Sequence, residues 1–99
     1  MTSFMIASAH KAYGPERDDL AAQLRHAGVG QVVLAGMSAN LCVESHLRAL
    51  LECGFEVAVV EDATAAAMRG EGDAYQAALV NFRYIADAHW STDEAVRQM

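Results

Sequence analysis

The chain has 99 residues, a formal charge of −6 and 54% hydrophobic residues. That is enough apolar material for one packed domain over residues 1–99, and too much for a disordered chain. The seven basic residues are scattered, so neither a nucleic-acid stripe nor a basic membrane anchor is present, and no apolar run approaches the roughly 20 residues needed to cross a bilayer.

Ser3 to Ser8 reads as extended, and Gly14-Pro15 marks a loop after His10-Lys11-Ala12-Tyr13. A helix opens at Asp18 or Asp19, carries Leu20, Ala21, Leu24 and Ala27 on one side, and stops at Gly28. Gln31 to Ala35 reads as a short strand of the buried type. Asn40 is the expected N-cap of the next helix, whose stripe is Val43, Leu47, Leu50 and Leu51. Glu44 and Arg48 pair at i, i+4 on its exposed side, and Gly54 ends it.

Phe55 to Val60 reads as a second strand, with Glu61-Asp62-Ala63-Thr64 as its exit, and Ala65 to Gly72 as irregular. A long helix is predicted from about Asp73 to Asp87, with Tyr75, Ala78, Leu79, Phe82, Ile85 and Ala86 at helical spacing. A short strand over Ala88–Trp90 and a terminal helix opened by Ser91-Thr92-Asp93-Glu94 complete the chain. Strand, helix and strand at this spacing form a βαβ unit, hence a parallel sheet whose sites lie beyond the carboxyl ends of its strands.

Cys42 and Cys53 are the two cysteines. On one helix they lie about 16 Å apart along the axis, beyond the reach of a disulfide. Unpaired thiols suit a reducing cytoplasm, and no secretory leader is evident. Cys42 falls in the first turn of a helix beyond a strand, where free N–H groups and the helix dipole favour a thiolate. The histidines His10, His26, His46 and His89 show no zinc-ligand spacing. Cys53 reads as a helix-end residue, Asp62 as a structural carboxylate tying a nearby turn, and Trp90 as packing.

Residues 32–46, Val-Val-Leu-Ala-Gly-Met-Ser-Ala-Asn-Leu-Cys-Val-Glu-Ser-His, closely resemble the nucleophile segment of the isochorismatase-like cysteine hydrolases. The likeness continues through residues 54–65 and 77–82 and includes His10-Lys11-Ala12-Tyr13-Gly14-Pro15. It implies a three-layer α/β/α sandwich around a parallel sheet, Rossmann-like and here partial. By position Cys42 matches the family nucleophile and Lys11 the catalytic lysine. A non-proline cis bond would fall at Met37–Ser38, and the N–H groups of Ser38 and Cys42 would form the oxyanion hole. Met37, Asn40, His46 and Tyr13 are candidate pocket residues.

No residue matches the family aspartate, which follows an upstream strand, so the chain reads as the C-terminal portion of such an enzyme. The resemblance implies a small-molecule amide or related substrate and no cofactor, with the activity impaired by the truncation; the histidine spacing and the missing upstream region lead us to expect no metal, the unpaired thiols a cytoplasmic setting, and a homo-oligomer is expected. The alternative reading is an inactive α/β interaction module that pairs with another chain through an exposed sheet edge.

Overall fold

A computed structural model describes residues 19–99. Helix α1 (Leu20–His26) leads to strand β1 (Gln31–Met37), a single π-helical turn (Ala39–Val43) and helix α2 (Glu44–Glu52). Strand β2 (Glu56–Ala65) is followed by a small hairpin of β3 (Met68–Arg69) and β4 (Gly72–Asp73). Helix α3 (Ala74–Ile85), strand β5 (Ala88–Trp90) and helix α4 (Thr92–Gln98) follow. The three-stranded sheet has the order β1-β2-β5, and all its pairings are parallel. The expected α/β fold with a parallel sheet is therefore the observed one.

The core lies on one face of β2. Val57 and Val59 point into it, where they meet Leu47 and Leu50 from α2 and Ala78, Leu79 and Phe82 from α3. Alternation turns Ala58 and Val60 to the opposite face, where α4 packs and buries Ala95. Sheet and helices thus form layers on both sides of β2. Helix α1 joins the first face through Ala21 and Leu24.

Local chemistry explains most boundaries. Gly28 has φ +77° and its N–H donates to the Arg25 carbonyl, which closes α1. The Asp73 carboxylate accepts the N–H groups of Tyr75 and Gln76 and so starts α3. Ser91 Oγ accepts from the Glu94 N–H at 3.1 Å and starts α4. Within α4, Gln98 and Arg97 donate to the Glu94 carboxylate and hold it below the usual glutamate range. A depressed pKa stabilises the fold above the unfolded value and loses that effect as pH falls through the folded one. Carbon NMR of the Glu94 carboxyl is expected to show that lowered midpoint, and an ordinary midpoint would mean that the two contacts do not persist in solution.

Four sequence expectations are corrected. Strand β1 is not of the buried type: it is an edge of the described sheet, with Val33 42% and Met37 71% exposed. Asn40 is not an N-cap, because Ser38 holds that position in extended backbone and the turn that follows is π-helical. Strand β2 does not stop at Val60. Its last residues, Thr64 and Ala65, pair with Gly36 and Met37 after a jump in register. The segment Ala65 to Gly72 is not wholly irregular, since Met68 pairs with Asp73 and Arg69 with Gly72.

Candidate functional site

The register jump builds the site. From Leu34 to Gly36 strand β1 advances two residues, while β2 advances from Val59 to Thr64. The surplus residues of β2 bulge outward and are tied down individually. Thr64 Oγ1 and Tyr75 Oη both donate to the Glu61 carbonyl, at 2.8 and 2.9 Å. The Asp62 carboxylate accepts from both the N–H and the hydroxyl of Thr92 at 2.7 Å, the structural role read from the sequence. The Glu61 side chain faces Arg83 at 3.5 Å and His89 at 3.3 Å.

Gly36 sits at the jump with φ +122°. A Cβ there would meet nothing within 4 Å, so the constraint is backbone conformation and not space. Gly36→Ala is expected to cost about 1–3 kcal/mol. Chemical denaturation measures this, and a neutral result would mean that the backbone at Gly36 relaxes without disturbing the strand pairing.

Beyond β1 the Met37–Ser38 peptide bond is cis, at the position the sequence resemblance assigned to it. The Ser38 carbonyl then accepts the N–H groups of Leu41 and Val43, both at 3.1 Å, and this closes the π turn. Cys42 lies within that turn, half-buried and unoxidised. It shares a concavity of about 230 Å³ with Leu34, Gly36, Met37, Val43 and His46. His46 does not bond the thiol at Nδ1: that nitrogen is 2.8 Å from the Cys42 carbonyl oxygen. A carbonyl only accepts, so Nδ1 carries the proton in this contact.

The candidate residues therefore divide. Met37, Cys42 and His46 share one concavity. Ser38 and Asn40 line a second, of about 530 Å³, together with residues of the β3–β4 hairpin. Lys11 and Tyr13 lie outside the described residues. Sequence reasoning passed over Arg69 and Glu71, which line the larger concavity. The flanking Gly70 and Gly72 were the available signal for a hairpin there. Among the described residues no three His, Cys, Asp or Glu side chains are placed to hold a metal ion, and no helix is long and apolar enough to cross a membrane.

A parallel α/β sheet that delivers a cysteine into the first helical turn past a strand's carboxyl end places the protein in a recognisable class of α/β folds. Within that class the chain belongs to the isochorismatase family: the profile of the Isochorismatase domain matches residues 6–94. It is similar to the uncharacterized isochorismatase family protein YecD of Escherichia coli O157:H7, 47% identical over 49 residues, which are 50% of this chain and 26% of that protein. A cysteine hydrolase from Pseudomonas syringae pv. phaseolicola superposes with a TM-score of 0.78 at 23% identity, covering 86% of this chain and 44% of that one. A pyrazinamidase of Pyrococcus horikoshii, solved in complex with zinc, superposes with a TM-score of 0.70 at 28% identity, covering 84% of this chain and 45% of that one. The chain thus spans less than half the length of these solved relatives.

Proposed function

We propose that the protein is a cysteine hydrolase acting on a small-molecule amide or related substrate, with Cys42 as nucleophile. The observation that carries this reading is the placement of Cys42 in the helical turn that follows β1, open to a concavity at the carboxyl end of that strand. Because no residue of this chain matches the family aspartate, a water molecule takes the Cys42 proton as the sulfur attacks the carbonyl carbon, and the carbonyl oxygen becomes an oxyanion held by the N–H groups of Ser38 and Cys42. The carbon–nitrogen bond then breaks, and the nitrogen leaves with the proton that the thiol gave up. Water adds to the resulting thioester, releasing the carboxylic acid and restoring the thiol. Lys11 supports the thiolate through its positive charge. The amide assignment draws on the neighbouring pyrazinamidase and on the family resemblance of residues 32–46.

The test is ammonia release from a panel of small carboxamides by the wild-type chain and by Cys42→Ala. Turnover by the wild type alone supports the reading, and equal turnover by both removes it.

A second reading has its own observation. Val33, Met37 and Leu41 are 42%, 71% and 44% exposed along β1 and the turn after it. Such an edge suits pairing with another chain, as an inactive module or as an oligomer that completes the site. A mass in solution that rises with concentration, without amide turnover, favours pairing over catalysis.

A further inference from the structure

Water is a poor place to leave a thiol proton at neutral pH, because its conjugate acid is far more acidic than a free thiol of about 8.5. A water beside Cys42 therefore needs a base to pass the proton to. The nearby carboxylates are engaged elsewhere. Glu44 pairs with Arg48 and accepts from Asn81, both at 3.1 Å. Glu61 faces Arg83 and His89, and Asp62 accepts from Thr92. Among the described residues that line the concavity of about 230 Å³, Cys42 and His46 alone carry titratable side chains. The rest of the lining is aliphatic, glycine or methionine.

His46 stands four residues after Cys42, and a helical side chain leans back over the turn that precedes it. The 2.8 Å contact between Nδ1 and the Cys42 carbonyl oxygen fixes both the ring and its tautomer. With the proton on Nδ1, the neutral ring carries its lone pair on Nε2. A backbone carbonyl that holds one ring nitrogen thus presents the other as a base of set direction. A base reaches its proton directly or through one water. A concavity of about 230 Å³ has room for that water, which needs only about 10–15 Å³ of such space. The turn that bears Cys42 is π-helical, a form frequent at functional sites.

The geometry points to His46 as the base of this site: its Nε2 receives the Cys42 proton through one water as the sulfur attacks, and returns it to the departing nitrogen. Nε2 then takes a proton from the water that adds to the thioester, and gives it to the sulfur as the carbon–sulfur bond breaks. Each cycle leaves the imidazole neutral and the thiol restored. The inference rests on the proposed amide hydrolysis for its turnover. The transfer from sulfur to His46 needs no substrate and is measured separately.

The experiment compares the full chain with His46→Gln and His46→Ala. Iodoacetamide is the probe, and mass spectrometry follows alkylation of Cys42 with the exposed Cys53 as internal reference. The thiolate is the species that reacts, so both variants are expected to slow Cys42 at least about 10-fold against Cys53. Added imidazole is expected to restore part of the rate in His46→Ala, where the place of the ring is vacant, and none in His46→Gln, where the amide fills it. The glutamine still has an N–H to donate to the Cys42 carbonyl but holds no proton, so circular dichroism of that variant is expected to match the parent. Nitrogen NMR of His46 in the wild type is expected to show a neutral ring protonated at Nδ1. For amide turnover, kcat is expected to fall about 10²–10⁴-fold in both variants, the usual contribution of a general base, with KM little changed. Equal Cys42 alkylation in all three chains, a wild-type Cys42 that does not react, a neutral ring protonated at Nε2, or a loss in His46→Ala that imidazole does not relieve each overturns the inference. His46-dependent alkylation with no ammonia release from the wild type keeps it and counts against the hydrolase reading. Hydrolysis that Cys42→Ala abolishes and His46→Gln leaves intact does the reverse.

Discussion

Cys42→Ala is expected to lower kcat for amide hydrolysis at least about 10³-fold while leaving the fold in place. The alanine has no lone pair to attack a carbonyl, so the thioester route closes entirely. What remains is the positioning and oxyanion stabilisation of the pocket, which in nucleophilic enzymes sustain only a small residual rate. Cys42 is half-buried at the mouth of its concavity and outside the core cluster, so losing its sulfur costs little packing. The measurements are steady-state kinetics and a thermal melt on the same preparation. A folded alanine variant with wild-type kcat would place the chemistry on another residue.

Phe82→Ala carries the largest expected structural effect. Phe82 is fully buried on α3 and packs in the cluster with Val57 and Val59 of β2 and Leu47 and Leu50 of α2. Removing a buried phenylalanine ring costs about 3–5 kcal/mol, the lost transfer energy plus the cavity. A domain of this size has a total stability of only about 5–15 kcal/mol. Each kcal/mol is worth roughly 4–8 °C in Tm at this length, so the melt is expected to fall by about 12 °C or more, or to lose its cooperativity. Phe82→Leu, which keeps part of the volume, is expected to lie between the two. A Phe82→Ala melt within a few degrees of wild type would mean that the core is not centred on this ring.

The elements that could be read from sequence are those where local chemistry and burial agree. The α3 stripe, the Ser91 cap and the strand Ala88–Trp90 all stand where expected, because side-chain spacing or capping alone specifies them. So does the Glu44–Arg48 pair, which needs only a helix. Features that depend on pairing between distant strands were not legible. Glu61 and Asp62 look like a strand exit because they are charged, yet β2 continues to Ala65 since Gly36 and Met37 offer it partners. Asn40 is a good capping residue by type. It lies inside the turn instead, because the turn begins at Ala39 with Ser38 in extended backbone before it.

At the candidate site, the order of residues along the chain placed Cys42 past the end of β1, but gave no sign that Ser38 and Cys42 line different concavities. Ser38 lies in extended backbone before the turn and Cys42 lies within it. Arg69 was missed because a solitary arginine in a glycine-flanked segment has no pattern to mark it.

The jump in register between Leu34 and Gly36 has a consequence for how the gene tolerates change. In the segment from Val60 to Ala63 the number of residues matters more than their identities. Deleting one would turn Thr64 and Ala65 to opposite faces of the sheet, and would draw Asp62 away from Thr92 and the Glu61 carbonyl away from Tyr75. Substitutions there are single losses, whereas a one-codon deletion would unfasten the strand, the α3 side chain and the start of α4 together.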